Sequence, residues 1–326
     1  MQYSVIPRTG EKVTRLGFGA MGLGNAFGNY SREERIQSVL HGLSRGINLI
    51  DTARGYRESE EIIGAALKLW TGEKPFIATK VRSRGPGAAW GMPHPIDICY
   101  PKGAVTEDIE TSLRMLNVDT IDLIQMHQYW PGWEKSDDWM EELLRCKEQG
   151  KVRLIGISIP DHRHDIALHL VQSGSIDSVQ TILNIFDPLS LDALLPICVE
   201  NKVAFIARCV LDEGGLSGFL TEATQFEDTD FRKTFFEQVP KSTYIARVNL
   251  LRAFLDEHTH SLAELAIKFV LAYEGVTTAL VSMHIPAYAD QNIQALSTRP
   301  LSAAIAHEIR TKHRWIRNFY DTKYWA

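Results

Sequence analysis

Four side chains with complementary acid–base chemistry follow three largely apolar segments of the chain. Asp51 and Tyr56 follow the first segment, Lys80 follows the second and His127 follows the third. Short apolar runs of this kind are typical of buried strands whose last residues emerge at one rim of a sheet. We therefore expect a carboxylate, a phenol, an ammonium group and an imidazole to converge at that rim.

A phenol can protonate a carbonyl oxygen if a neighbouring cation favours its ionised form. A free phenol titrates at about 10, which makes it too weak an acid for efficient proton donation at neutral pH. Lys80 would supply the cation, and Asp51 would hold Lys80 in its charged form. His127 would hydrogen-bond the carbonyl oxygen and polarise it. None of these side chains is a good source of electrons, so carbonyl reduction needs a hydride from a nicotinamide or flavin cofactor.

Each of the four residues also has an ordinary structural interpretation. An Asp at a strand end can cap the next helix, a Lys can form a surface ion pair, and a His or Tyr can be structural. Their joint placement after successive strands, on one predicted face, is what favours a catalytic site.

Alternating strands and helices are predicted to position these residues. Eight segments have strand patterns and a helical pattern follows each of them. The first strand begins at Leu16, and the others span 47–52, 76–80, 121–126, 152–157, 178–183, 203–208 and 277–281. Such alternation implies a parallel sheet, and eight units close into a (β/α)8 TIM barrel of the α/β class. An open doubly wound sheet has a similar pattern, but reactive residues after several different strands favour the barrel.

No composition break divides the chain, so we expect a single domain over residues 1–326. A β-hairpin is predicted within residues 3–14, ahead of the barrel, and a C-terminal tail from about residue 300. Helix starts are indicated by three capping patterns and one lone Asp. They are Ser31-x-x-Glu34, Asp138-x-x-Glu141, Ser261-x-x-Glu264 and Asp161.

The composition limits the cell compartment and the partners. The 326 residues are 44% hydrophobic and 23% charged, which is ample for a large core. A net charge of -5 predicts no basic face for nucleic acid. Four cysteines without a C-x-x-C pair indicate a reduced environment. With no apolar leader and no stretch long enough to span a bilayer, we expect a cytoplasmic protein that has no membrane partner.

Two motifs are set aside because their context is wrong. Residues 17–22 match G-x-G-x-x-G, but a dinucleotide fingerprint needs a helix opening at its third glycine, and the next helix begins only at Ser31. The H-x-H pairs at 162–164 and 258–260 lie at predicted helix starts in polar surroundings. We interpret both pairs as solvated caps and expect no metal site.

At this point the sequence resembles the aldo-keto reductase family over residues 13–300. The matching stretches are Asp51-Thr52-Ala53 with Tyr56 and Ser59-Glu60; Thr79-Lys80; Asp122-Leu123-Ile124 with His127; Gly156-Ile157-Ser158; Val179-Gln180; and Gln291-Asn292. The resemblance implies that Asp51, Tyr56, Lys80 and His127 form the catalytic tetrad. It also implies that NADPH lies across the C-terminal rim of the barrel and reduces an aldehyde or ketone.

The resemblance further implies which residues bind the cofactor. Ser158 and Gln180 correspond to positions that hold the nicotinamide amide, and the loop 208–218 is similar to the loop that covers the pyrophosphate. Gln291 and Asn292 fall where relatives contact the adenine. The full implied set is Gly19, Met21, Asp51, Ser158, Gln180, Arg208, Leu211, Gly215, Leu216, Gly218, Met283, His284, Gln291 and Asn292.

The sequence departs from the family pattern at two positions. Ile159 stands where relatives usually have Asn, and it cannot hydrogen-bond the carboxamide. His284 stands where relatives commonly have an Arg that grips the 2′-phosphate of NADPH. A neutral His offers one donor and an Arg offers a charged fork, so we expect weakened preference for NADPH, with NADH also possible.

The substrate is expected to be a small-molecule carbonyl compound. Trp90, Trp130 and Trp133 are candidates for the walls of its pocket, with ordinary loop packing as the alternative. The aromatic tail from Trp315 to Trp325 caps the pocket, packs on the barrel or contacts a second subunit. Two other functions stay open, a nicotinamide-binding sensor with vestigial redox activity and a lyase or isomerase. The oligomeric state stays open as well.

Overall fold

Eight parallel strands form a closed barrel in the computed structural model, which describes residues 1–85, 93–136, 138–237 and 240–316. Each strand pairs with the next along the chain, and the last also pairs with the first. The strands are β3 (Leu16–Gly19), β4 (Leu49–Asp51), β5 (Phe76–Val81), β6 (Ile121–Met126), β7 (Val152–Ser158), β8 (Ser178–Ile182), β9 (Ala204–Arg208) and β10 (Val276–Ser282). The predicted (β/α)8 barrel is therefore confirmed.

The predicted hairpin is also present, as antiparallel strands β1 (Tyr3–Val5) and β2 (Lys12–Thr14). Val13 of β2 and Ile6, which follows β1, are buried in one cluster with apolar side chains from the barrel strands, among them Leu49 and Phe76. Because Leu49 and Phe76 are the first residues of their strands, the hairpin covers the end of the barrel at which the strands begin. The strand ends that bear the reactive residues lie at the opposite rim.

Helices on the outside connect successive strands. In the described residues they are α1 (Arg32–Ser44), α2 (Ser59–Leu69), α3 (Ile96–Cys99), α4 (Ala104–Leu116), α5 (Asp138–Glu148), α6 (Leu168–Gln172), α7 (Leu194–Glu200), α8 (Phe231–Glu237), α9 (Lys241–Leu250), α10 (Leu262–Leu271), α11 (Pro286–Gln294) and α12 (Ala303–Lys312). Helices α3, α8 and α9 interrupt the simple alternation and belong to the long connections after β5 and β9. No helix in the described ranges is both long enough and apolar enough to cross a membrane.

Two of the predicted helix caps are confirmed and two are wrong. Ser31 forms a full capping box with Glu34, and Ser261 accepts a hydrogen bond from the backbone of its third following residue. Asp138 lies inside the first turn of α5 instead of before it. Asp161 caps no helix, because its carboxylate pairs with Arg208 at the end of β9. Both confirmed caps have their partner within three residues, whereas the carboxylate of Asp161 is engaged by a side chain 47 residues away.

Candidate active site

The barrel brings the four acid–base residues to one rim. Asp51 is the last residue of β4, Lys80 is the penultimate residue of β5, and His127 directly follows β6. Tyr56 lies in the connection between β4 and α2. Parallel neighbours expose their carboxyl ends on the same side, which explains why residues far apart in sequence meet.

Lys80 is fully buried and is held by two oxygen acceptors. Its Nζ donates to Asp51 Oδ1 at 2.5 Å and to the carbonyl oxygen of Thr52 at 2.9 Å. The same ammonium lies 5.1 Å from the centroid of the Tyr56 ring. The predicted contact of carboxylate with amine, and of amine with phenol, is therefore present.

The second oxygen of Asp51 is also satisfied. Asp51 Oδ2 accepts hydrogen bonds from Gln180 Nε2 at 2.9 Å and from Gln125 Nε2 at 3.2 Å. A buried ion pair is stable only if its remaining polar atoms are hydrogen-bonded. The two amides supply those bonds and fix the orientation of the carboxylate toward Lys80.

Burial dominates the electrostatics of the phenol. It raises the pKa of Tyr56, and the positive charge of Lys80 opposes that rise. The Lys80 effect thus has the expected sign but does not bring the pKa below its usual value. Burial lowers the pKa of Lys80, but Asp51 and Tyr56 outweigh it and raise the pKa overall. At neutral pH the phenol keeps its proton and the ammonium keeps its charge.

His127 is a neutral imidazole in this environment. Burial and the charges of Lys80 and Arg208 hold the pKa of His127 well below its usual range. Its ring stands edge-on to the Tyr56 ring, with 5.5 Å between the centroids. A neutral imidazole can donate its N–H to a carbonyl oxygen placed beside the phenol.

A cavity of about 1480 Å³ opens above these residues, with Asp51, Tyr56 and His127 in its lining. It exceeds the roughly 300–1,000 Å³ that drug-sized ligands occupy, so it has room for a dinucleotide together with a small substrate. Predicted cofactor residues in its lining are Gly19, Met21, Asp51, Ser158, Gln180, Arg208, Leu211, His284, Gln291 and Asn292.

Four predicted cofactor residues do not line the cavity. Leu216 and Met283 are fully buried in the hydrophobic core. A Cβ on Gly215 would lie 2.2 Å from the Tyr244 hydroxyl, and one on Gly218 would lie 2.7 Å from a Leu262 methyl carbon, so both glycines face packed side chains. The loop after β9 instead lines the cavity through neighbouring residues, which are Cys209, Val210, Leu211, Glu213, Gly214 and Ser217.

The three predicted substrate-pocket tryptophans differ in position. Trp130 lines the cavity beneath the guanidinium of Arg163, 5.5 Å from the ring centroid. Trp133 is not in the described lining, because its indole packs edge-on against Tyr100 and donates to the carbonyl oxygen of His94. Trp90 lies outside the described residues.

The aromatic tail and the first H-x-H pair are partly described. Trp315 packs edge-on against Phe186 on the barrel, and residues 317–326 lie outside the described part of the chain.

His162 does not act as a solvated cap, because its Nδ1 lies 2.5 Å from Asp187 Oδ2 in a largely buried contact.

Ser158 tests whether the rim fits a nicotinamide. Its hydroxyl is buried and has no hydrogen-bond partner among the described residues, although the residue lines the cavity. An orphaned hydroxyl is costly to the fold unless a ligand satisfies it. The carboxamide of a nicotinamide can do so, and the adjacent Ile159 is buried and offers only apolar contact.

Sequence reasoning named Arg208 and Asp161 separately but missed the polar cluster that they form with Cys209 and Glu213 in the cavity lining. Arg208 Nη2 donates to Asp161 Oδ1 at 2.5 Å, and Cys209 Sγ lies 3.2 Å from Glu213 Oε1. Burial raises the pKa of Glu213 to about 7. Gln125 was also missed, although an amide inside an apolar strand is a signal that the side chain has a polar partner.

The chemistry of the rim defines a class of protein. A hydroxyl proton donor beside a tethered ammonium and a neutral imidazole, under a cavity with room for a dinucleotide, is suited to carbonyl reduction with a nicotinamide cofactor.

Known proteins place the chain in a family of this class. A sequence profile described as "Aldo/keto reductase family" matches residues 15–314, so the chain belongs to the aldo-keto reductase family. It is an oxidoreductase that acts on carbonyl compounds and uses NADPH or NADH.

Three known proteins illustrate the similarity. Aldo-keto reductase YhdN of Bacillus subtilis is 29% identical over 86% of this chain and 84% of its own length. The NADH-specific methylglyoxal reductase of Escherichia coli is 27% identical over 87% of this chain and 90% of its own. The holo form of aldo-keto reductase AKR11C1 from Bacillus halodurans superposes with a TM-score of 0.75 at 25% identity, covering 96% of this chain and 99% of that one.

Proposed function

We propose that this protein is an NADPH-dependent reductase of small aldehydes or ketones, in which Tyr56 donates the proton. The observation that carries the proposal is the buried contact of Asp51 with Lys80 beside the Tyr56 ring. The free state of the four cysteines supports a place in the cytoplasm, where thiols stay reduced.

Each side chain has one task in this proposal. Ser158 would hold the nicotinamide of NADPH, which when bound would supply a hydride to the carbonyl carbon. His127 donates a hydrogen bond to the carbonyl oxygen and orients it toward the Tyr56 hydroxyl. Tyr56 transfers its proton to that oxygen as negative charge develops there. Lys80, charged because of Asp51, stabilises the phenolate that remains until solvent returns the proton.

The residues present fit the cofactor at its reacting end. The orphaned Ser158 hydroxyl would hold the carboxamide. Gln180 has its Nε2 engaged by Asp51, so only its other amide atom is available to a ligand. Gln291 and Asn292 also line the cavity and would contact the adenine, although Asn292 Nδ2 already donates to the carbonyl oxygen of Ser282 at 3.1 Å.

Replacing Tyr56 by Phe tests the proton donor. We expect Tyr56→Phe to lower kcat by about 10²- to 10⁴-fold, the usual contribution of a general acid. The dissociation constant for NADPH should stay unchanged, because the ring is retained. The change in cofactor absorbance with a panel of aldehydes, ketones and quinones measures kcat. Nicotinamide fluorescence measures the dissociation constant for NADPH.

Tyr273→Phe is the matched control, since Tyr273 is not in the described lining of the cavity. Full activity of Tyr56→Phe would remove the assigned role. If the unmodified protein bound NADPH but oxidised it with no member of the panel, the sensor function would replace the reductase. Product formed without net loss of NADPH would indicate a lyase or isomerase.

A further inference from the structure

His284, which follows β10 and lines the cavity, is surrounded by aromatic rings. Its ring lies 5.2 Å from Tyr30, 5.4 Å from Tyr288 and 5.7 Å from Phe27, measured between centroids. Its Nδ1 is 2.6 Å from Ser282 Oγ. Burial and the charge of Arg232 lower the pKa of His284 to about 4. At neutral pH this ring carries no charge with which to offset a phosphate.

Arg232, near the start of α8, brings a permanent charge to the same place. Its guanidinium lies 5.6 Å from the centroid of Phe27, the ring that also contacts His284. Arg232 and His284 both line the cavity. The charge of Arg232 helps to lower the pKa of His284 and opposes the rise in the pKa of Tyr30 that burial causes.

The guanidinium is held with one edge engaged. Nε and Nη2 donate to the carboxylate of Asp230, and Nη2 also donates to the carbonyl oxygen of Phe27 at 3.1 Å. The plane is further packed on Phe219 and Phe226, at 5.6 and 5.3 Å from their centroids.

The other edge is open. Nη1 makes no hydrogen bond to any described residue, and 22% of the side chain is exposed. A guanidinium fixed in this way can bind a phosphate with little loss of side-chain entropy. Asp230 offsets part of its charge, so the site attracts a phosphate less strongly than an unpaired Arg would.

The other described arginines of the cavity lining have different surroundings. Arg208 is the last residue of β9 and pairs with Asp161. Arg163 lies over Trp130 and pairs with Asp165. Arg82 directly follows β5, the strand that bears Lys80.

We propose that Arg232 binds the 2′-phosphate of NADPH in place of the charge that His284 lacks, and that Arg232 thereby sets the choice between NADPH and NADH. The inference rests on the proposed function, because it assumes that the dinucleotide extends from Ser158 toward His284. It assigns selectivity to the long connection after β9 instead of to the loop after β10.

Dissociation constants for both cofactors, measured by nicotinamide fluorescence, test the proposal without turnover. Arg232→Gln should weaken NADPH binding about tenfold or more, as expected for loss of a charge-assisted hydrogen bond. NADH binding should stay unchanged. Arg232→Lys keeps the charge without the fork, so its ratio of the two constants should be intermediate.

Arg163→Gln is the matched control, because Arg163 is likewise stacked on an aromatic ring and paired with an Asp two residues away. The ratio of the dissociation constants for NADPH and NADH should be the same in Arg163→Gln as in the unmodified protein. Added salt should weaken NADPH binding more in the unmodified protein than in Arg232→Gln. Thermal denaturation verifies that each variant is folded, and Arg232→Lys serves if Arg232→Gln is not.

Two results would overturn the inference while leaving the reductase in place. One is an unchanged ratio in Arg232→Gln, and the other is an equal loss of affinity for both cofactors, which a purely structural role would produce. Failure of the unmodified protein to bind either cofactor would instead overturn the proposed function, and this inference with it.

Discussion

At the scale of single residues, the hydroxyl of Ser158 contributes no hydrogen bond within the described residues to the stability of the protein without its cofactor. This buried hydroxyl has no partner among the described residues, whereas the buried hydroxyl of Ser112 donates to Glu60 Oε1 at 2.7 Å. Two serines of similar burial thus differ in whether the protein itself satisfies them. That difference is what the proposed ligand-binding role of Ser158 requires.

Ser158→Ala should therefore weaken NADPH binding without lowering stability. One hydrogen bond contributes about 0.5–1.5 kcal/mol, so the dissociation constant should rise about 2- to 12-fold. The free energy of unfolding without cofactor, from urea titration, should not fall. Ser112→Ala should give the opposite pattern, and a loss of stability in Ser158→Ala would show that its hydroxyl has a protein partner.

At the scale of elements, Glu60 on α2 fastens the segment that bears Tyr56. Its Oε1 accepts from Thr79 on β5 at 2.7 Å and from Ser112 on α4 at 2.7 Å. Its Oε2 accepts from Arg54 Nη1 at 2.6 Å, two residues before Tyr56. One buried carboxylate therefore joins a strand, two helices and the loop of the phenol.

Glu60→Gln should destabilise the protein by about 1–3 kcal/mol, because the negative charge opposite Arg54 is lost and an amide NH2 group replaces one of the two acceptor oxygens. The shift of the urea midpoint measures it. Glu61→Gln, on the exposed face of the same helix, should be close to neutral. Equal effects of the two substitutions would mean that the network adds nothing.

Local signals in the sequence predicted most of these elements. Ser31 and Ser261 satisfy their own helices within three residues, so their caps could be recognised without a structure. Asp161 could not, because its partner Arg208 is 47 residues away. Trp133 followed the rim residue His127 closely, yet contacts with Tyr100 draw it into the core.

That the four acid–base residues lie together was predictable for a different reason. Asp51, Lys80 and His127 each lie within one residue of the end of a strand, and a closed parallel barrel places all such residues on one rim. Arg232 was missed because it belongs to the irregular connection after β9, where periodicity gives no position. Sequence patterns thus located the residues fixed by the barrel and missed those fixed by its insertions.

At the scale of the whole molecule, burial of neutral histidines makes the fold sensitive to acid. The folded chain holds the pKa of His284 at about 4, and that of His127 well below its usual range, chiefly through burial. The unfolded chain takes up protons on these residues below about pH 6.5. Stability is therefore lost as the pH falls from there toward 4, since the unfolded state binds more protons.

His284 alone should account for about 3 kcal/mol of that loss. In His284→Gln, the free energy of unfolding without cofactor should fall less steeply between pH 6.5 and 4. The exposed residue His169 provides the control, and His169→Gln should follow the unmodified protein. Urea titrations across this range measure the slopes, and parallel curves for all three proteins would contradict the prediction.

The hairpin at the base of the barrel has a consequence for the order of events. Because β1 and β2 cover the end of the barrel at which the strands begin, cofactor and substrate must enter and leave through the opposite rim. The molecule that binds deepest in the cavity must therefore bind first and dissociate last. Binding is then ordered, and the release of the second molecule to bind controls when the first can dissociate.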